Sequence, residues 1–203
     1  AIIGVGLIGA SIALAARRAG LAASVTGCEI DSAKAGEIEK LGLVDHVTTD
    51  AVAAVQDADL VVMAVPVGAL GPLAAQIVPA MKPGAVLTDT GSTKRSVLRD
   101  VDPHISGDIH WIPSHPLAGT EHSGPAAGFA ELFDGRYWLV LPREVTEDKV
   151  VRFESFVTGM GSVSERMDAD YHDKVLALTS HLPHLIAYTC LLYTSDAADD
   201  ASS

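Results

Sequence analysis

The stretch Ser114-His115-Pro116-Leu117-Ala118-Gly119-Thr120-Glu121-His122-Ser123-Gly124 gathers imidazoles, hydroxyls, a carboxylate and two glycines into one short segment. It follows an apolar run, Ile109 to Pro113, that reads as a strand. A loop this dense in hydrogen-bonding side chains has no core to serve and is suited to gripping a ligand. A second group of residues suits phosphates. Gly4-Val5-Gly6-Leu7-Ile8-Gly9 follows Ala1-Ile2-Ile3 and opens an Ala/Leu-rich helix to Arg18, with Gly20 as its stop. Gly4 allows a tight turn, Gly6 lets backbone approach a pyrophosphate, and Gly9 lets the helix pack closely on the strand. The helix start adds free amides and a partial positive charge. Glu29 closes the next apparent strand, Ser24 to Glu29, about twenty residues past Gly9. An acid there bonds ribose hydroxyls and repels a 2′-phosphate, which favours NAD over NADP. The plainer alternative is a solvated strand end.

These residues need a scaffold, and the remaining pattern supplies one. Asp31 is placed to cap a helix running to Lys40. Asp59 to Pro66 is a continuous apolar run, as in a parallel strand covered on both faces. Val67, Leu70, Ala74, Ile77 and Met81 then recur at helical spacing, and Pro83-Gly84 turns into a strand from Ala85 to Thr90. Alternation of this kind predicts a right-handed parallel α/β sheet whose ligands lie beyond the strands' C-terminal ends. Both Thr90-Gly91-Ser92-Thr93-Lys94 and the His115 stretch fall at that edge. Ser92 either caps the following helix, faces the cleft, or does both, and Lys94 reads as a solvated first-turn residue.

Further strands are expected at Tyr137 to Pro142 and at Gly161 to Met167. Between them lies a helix opened by Thr146, with Val150, Phe153, Phe156 and Val157 inward. The nucleotide domain closes near Asp168, which caps a different kind of helix. There Val175, Leu178, Leu182, Leu185, Ile186 and Thr189 form one stripe. Lys174, His181, His184 and Tyr188 form another, as a wet surface or as the lining of a cleft. His172 lies off that second stripe, and Pro183 should kink the helix. After Cys190 the pattern breaks, and residues 191–203 read as a non-native tail.

At 203 residues the chain can bury a sizeable core. A net charge of −12 with no basic patch argues against a nucleic-acid partner. Ala1 to Ala16 carries no charge, but it lacks a basic leader, is short of a membrane span and holds three spaced glycines. No membrane association and no metal are expected. Two cysteines, Cys28 and Cys190, make no disulfide framework and suit a reducing, cytoplasmic setting. The start without Met, inside an apparent strand, reads as that of a fragment.

Several of these pieces occur together in one family. Gly4 to Gly9, Ala64-Val65-Pro66, Asp89-Thr90-Gly91-Ser92-Thr93-Lys94, His115 to Gly124 and Ser180-His181-Leu182-Pro183-His184 resemble prephenate dehydrogenases of the TyrA family, over residues 1 to about 190. The resemblance implies a Rossmann-type doubly wound, mostly parallel sheet over 1–168, followed at 169–190 by the start of an all-helical substrate and dimerisation domain. It implies oxidative decarboxylation of prephenate or arogenate by hydride transfer to NAD, in a cytoplasmic homodimer of tyrosine biosynthesis. Gly4, Gly6, Leu7, Ile8, Gly9, Glu29, Val65 and Pro66 would contact the cofactor. His115 would take the hydroxyl proton, as a neutral imidazole of ordinary pKa about 6.5 can, with Ser92 orienting it. Thr120, His172, His181 and His184 would line the substrate side. The family's carboxylate-gripping arginine belongs to a helical part beyond these residues. Two rivals share the glycine motif: an NAD-linked β-hydroxyacid or imine-reductase type dehydrogenase, and a non-catalytic NAD-binding module. Neither calls for the His115 and Ser180–His184 pieces together.

Overall fold

A computed structural model describes residues 1–183 and 185–189, and of His181 the backbone alone. Six short strands form a wholly parallel sheet: β1 (Ile2–Ile3), β2 (Thr26–Cys28), β3 (His46–Thr48), β4 (Leu60–Met63), β5 (Val86–Asp89) and β6 (His110–Trp111). Their order is β3-β2-β1-β4-β5-β6. The chain therefore reverses direction across the sheet between β1 and β4, which is where doubly wound sheets open a ligand crevice. Helices α1 (Leu7–Arg18), α2 (Ser32–Lys40), α3 (Ala51–Val55), α4 (Leu70–Ile77) and α5 (Lys94–Val101) fill the crossovers.

Strand alternation divides the core between the two faces. Ile2 and Val62 join α1 and Ile38 on one side, while Ile3, Val61, Met63 and Leu87 join Leu70, Ile77 and Val97 on the other. The expected stripe of α4 is buried at Leu70, Ala74 and Ile77, with Met81 just beyond the helix also buried. Asp31 caps α2 by accepting from the Ala33 and Lys34 amides, and Gly20 ends α1 at φ +63°. Cys28 is buried in β2, where desolvation, with Glu29 and Asp50 nearby, pushes its thiol up to about 11. It stays a protonated, unreactive thiol.

The sheet does not simply continue after β6, contrary to the single run of strands expected. The Ile112 amide still donates to Leu87, but Pro113 has no amide to offer β5 and its carbonyl turns to accept from Leu141. From there β7 (Ser114–Pro116) pairs antiparallel with β8 (Tyr137–Val140), and β8 pairs parallel with β9 (Val163–Arg166). This second, three-stranded sheet carries α6 (Glu147–Gly159), whose Val150, Phe153 and Val157 are buried with Phe156 packed beside them. Ser114, His115 and Pro116 are thus strand residues, and the loop proper begins at Leu117.

Asp168 caps α7 (Ala169–Leu176), which leads into a π-turn at Ala177–His181. This π-turn lies just before Pro183, where the sequence leads one to expect a disturbed helix. Leu178, Leu182, Leu185 and Ile186 are exposed, so the apolar stripe of this segment is not packed on the α/β domain. The buried side of α7 carries His172 and Leu176 instead. Residues 190–203, with Cys190 and the expected tail, lie outside the described residues.

One contact tests the close packing of α1 on β1. A Cβ at Gly9 would run into the Gly4 carbonyl oxygen and crowd Ile2. The substitution Gly9→Ala should lower the unfolding free energy in urea by roughly 1–3 kcal/mol through overpacking, with no loss of helix propensity to explain it.

Candidate active site

The C-terminal edge of the large sheet gathers nearly every residue singled out above. At the end of β1, Gly4 turns at φ +88° and its amide donates to Cys28 at the end of β2. A Cβ on Gly4 would meet the Ala64 carbonyl oxygen at 2.7 Å and the Val65 side chain at 2.9 Å, so the glycine turn touches the end of β4. Beyond Gly6 the space is open, and no side chain caps the first amides of α1. Those amides at the start of a twelve-residue helix form an anion cradle. Leu7 and Ile8 are its first helical residues. Glu29 stands next to the turn, half-buried, and accepts from the Asp31 amide at 3.3 Å. The dinucleotide therefore fits the residues present: room at Gly6, unpaired amides for its phosphates and a carboxylate where a ribose would lie. Pro66 is exposed at the mouth of the same crevice.

The β5 end is built on a buried ion pair. Asp89 and Lys94 are both 0% exposed, with Nζ to Oδ2 at 2.6 Å. Nζ also donates to the Ser114 carbonyl at 2.6 Å, while Asp89 accepts from the Gly91 amide at 2.7 Å and the Ser114 amide at 3.2 Å. The single Ser114 hydroxyl proton goes to the Asp89 carbonyl at 2.8 Å. Thr88 and Trp138 must then donate to that oxygen, at 2.9 and 3.0 Å. Lys94 is thus no solvated first-turn residue, and Ser114 is not part of a ligand loop: both bolt β7 to β5. Burial pushes the Lys94 ammonium below its usual range, while Asp89 pulls it back up.

Beside this bolt sits His115, 9% exposed. Its Nδ1 lies 2.9 Å from Nε2 of His172, whose Nδ1 lies 2.7 Å from Oδ1 of Asp173. His172 is fully buried, so its place is behind His115 and not on a substrate-facing wall. Asp173 in turn accepts from the Lys94 amide at 2.7 Å and the Arg95 amide at 2.9 Å. It caps α5 from another helix, the role considered above for Ser92. Thr93 precedes α5 without a side-chain cap, and Ser92 is exposed at the β5 end. Thr120 is exposed in the loop after β7, where its hydroxyl accepts from the His122 amide at 3.2 Å. The side chains of His181 and His184 lie outside the described residues.

Sequence reading missed Asp89, Lys94 and Asp173. The signals were present: a charged pair five residues apart flanking a glycine at the end of an apolar strand, and a His-Asp dipeptide in the first turns of a helix.

A parallel sheet of this order, with an open glycine cradle at its switch point, defines a Rossmann-type dinucleotide-binding domain. Comparison with known proteins narrows the class. Residues 12–166 match the family described as "Prephenate dehydrogenase, nucleotide-binding domain", and the chain belongs to that family. It is 42% identical over 189 residues to a cyclohexadienyl dehydrogenase of Zymomonas mobilis, covering 93% of this chain and 64% of that protein. The prephenate dehydrogenase of A. aeolicus, solved with hydroxyphenyl propionate and NAD+, superposes with a TM-score of 0.85 at 30% identity, covering 94% of this chain and 66% of that one. The arogenate dehydrogenase of Synechocystis gives 0.83 at 25% identity, covering 95% and 67%. The chain thus spans about two thirds of the length of these relatives.

Replacing Lys94 by Met keeps much of the volume and strands the Asp89 carboxylate without its cation. Chemical unfolding of Lys94→Met should show a loss of about 3–5 kcal/mol.

Proposed function

We propose that this chain is the NAD-binding part of an enzyme that oxidatively decarboxylates prephenate, arogenate or both, on the path to tyrosine. The observation that carries the reading is the place of His115. His115, 9% exposed, follows the Ser114 that is bonded to the C-terminal end of β5, in the parallel sheet that carries the glycine turn, and its imidazole is held by a buried network. Glu29 favours NAD by accepting from ribose hydroxyls and repelling a 2′-phosphate. Gly4, Gly6, Leu7, Ile8, Gly9, Val65 and Pro66 would frame the rest of the cofactor, which supplies the hydride acceptor.

The chain's own residues handle the proton and the water. His115 accepts the proton of the ring hydroxyl as hydride leaves the same carbon. The bond to the ring carboxylate then breaks, its electron pair restores the aromatic ring, and the imidazole returns the proton to the new phenol oxygen. No net proton is consumed, so a neutral imidazole suffices. Ser92, exposed at the β5 end, would orient the hydroxyl, and Thr120, His181 and His184 would line the substrate side. Aromatisation drives the loss of CO2, which leaves the protein chiefly the tasks of aligning the ring and keeping water out.

The exposed apolar residues Leu178, Leu182, Leu185 and Ile186 support a further helical layer and a homodimer in the whole enzyme. Among the described residues no helix is long and apolar enough to cross a membrane. The buried free thiol of Cys28 is in keeping with a cytoplasmic setting.

The test is a chimera in which residues 1–189 are continued by the remaining part of the Zymomonas protein. NADH formation is followed with prephenate and with arogenate. Turnover of neither substrate, with NAD still bound, would favour the binding-module rival. In this chimera His115→Asn should lower kcat roughly 10²–10⁴-fold with NAD affinity unchanged. Glu29→Ala should weaken NAD binding by titration calorimetry about 10–100-fold, the loss of a hydrogen bond to a charged group, and leave NADP binding less affected.

A further inference from the structure

The order of hydrogen bonds behind His115 assigns the protons along it. The Asp173 carboxyl is raised by burial, but the Lys94 and Arg95 amides and the His172 donor together hold it below the ordinary carboxylate range. It is therefore ionised at neutral pH and can only accept. The proton between it and His172, 2.7 Å away, must belong to Nδ1 of His172. Burial, with the Lys94 charge adding to it, pushes the His172 imidazole below its usual range in spite of the Asp173 hydrogen bond. His172 is then neutral, and with Nδ1 protonated its Nε2 is an acceptor. The 2.9 Å contact to His115 can be made in only one sense, with Nδ1–H of His115 donating.

We propose that His172 and Asp173 are positioning residues: the carboxylate on the α5 amides fixes the tautomer of His172, and His172 fixes His115 as the Nδ1–H form with its lone pair on Nε2. This deepens the assignment of His115 as proton acceptor and rests on it. A free neutral histidine side chain favours the opposite, Nε2–H form, which has no lone pair at that position to receive a proton. The arrangement extends by one imidazole the logic by which an acid holds a catalytic histidine in the useful tautomer. It also explains two otherwise costly features: a histidine buried completely with no apolar role, and an α5 start left uncapped by its own Thr93. When Nε2 of His115 takes up a proton, both hydrogen bonds behind it persist unchanged, and the Asp173 charge two rings away offsets the new cation. The acid is itself anchored, because two backbone amides and the positive end of α5 hold it in place.

The proposal is read directly in the chain labelled with 15N-histidine, by two-bond 1H–15N correlation at mildly alkaline pH, with resonances assigned from single His→Gln variants. His115 and His172 should both show the Nδ1–H pattern, whereas exposed His46 should show the Nε2–H pattern of a free side chain. In Asp173→Asn the amide can donate to Nδ1 of His172. Both rings should then switch toward Nε2–H, and kcat of the chimera should fall roughly 10²–10⁴-fold with NAD affinity retained. An Nε2–H signature for His115 in the unaltered chain overturns the proposal without any variant having to fold. So does an unchanged His115 signature in folded Asp173→Asn. If either occurs while His115→Asn still abolishes turnover, the relay fails and the base assignment stands. If His115→Asn turns over normally, the functional reading itself fails.

Discussion

The structure depends on one buried charge pair. Asp89 and Lys94 lie out of water at the end of β5, where Coulomb attraction alone does not repay desolvation. What makes the pair tenable is that its hydrogen bonds go to backbone that has to be held: the Gly91 amide, and the amide and carbonyl of Ser114. Together these bonds tie separate stretches of chain to one point. The start of α5, the turn after β5 and the strand carrying His115 are located by the same few atoms. An apolar plug of equal volume would fill the space without fixing the direction of β7, which at Pro113 has just left the parallel sheet.

That departure gives the site its two halves. The cradle for an anion belongs to the parallel sheet, at the reversal between β1 and β4, whereas His115 belongs to the antiparallel pair β7–β8. The second sheet is tied to the first because Ser114 bonds to the last residue of β5, while the Thr90 amide bonds to Met63 at the end of β4. Positions along the edge are thus relayed between neighbouring strand ends, with the buried Lys94 side chain spanning two of them, an arrangement with little freedom to drift.

Much of this was legible in the sequence, and the reasons differ by residue. Two glycines of the motif could be read because they answer local steric demands, seen in the positive φ at Gly4 and the clash a Cβ at Gly9 would make. The cap at Asp31 and the buried stripe of α4 are likewise local. The split into two sheets was not legible, since apolar runs such as Tyr137 to Pro142 show that a strand is buried but not which strand it pairs with. Strand β3 escaped because His46-Val47-Thr48 is a polar edge strand of three residues with one apolar side chain. Lys94 was misread because its partners are a strand residue and a carbonyl twenty positions away, where helical spacing offers no clue. His172 and Asp173 look like ordinary polar residues of an amphipathic helix until α7 is laid against α5.

The loop after β7 is held at both ends, with Ala118 packed on the core and the turn at Pro125–Ala127 lying against α1, and only its middle, residues 119–123, is exposed throughout. The Leu117 amide donates to Tyr137, while at the far end Gly128 lies against Ala10 so closely that a methyl there would meet it at 2.5 Å, and the Phe129 amide donates to the Ser11 hydroxyl of α1. The segment from Gly119 to Ser123 is a bridge with two piers, one on the strand of His115 and one on the helix that opens the anion cradle. Cutting the exposed span with a protease would therefore leave both piers standing and the fold intact, so that a loss of ligand grip on nicking would report the continuity of the span itself. The strand of His115 and the first turns of α1 thus share a length of tether, and its residue count sets how far apart they can be drawn.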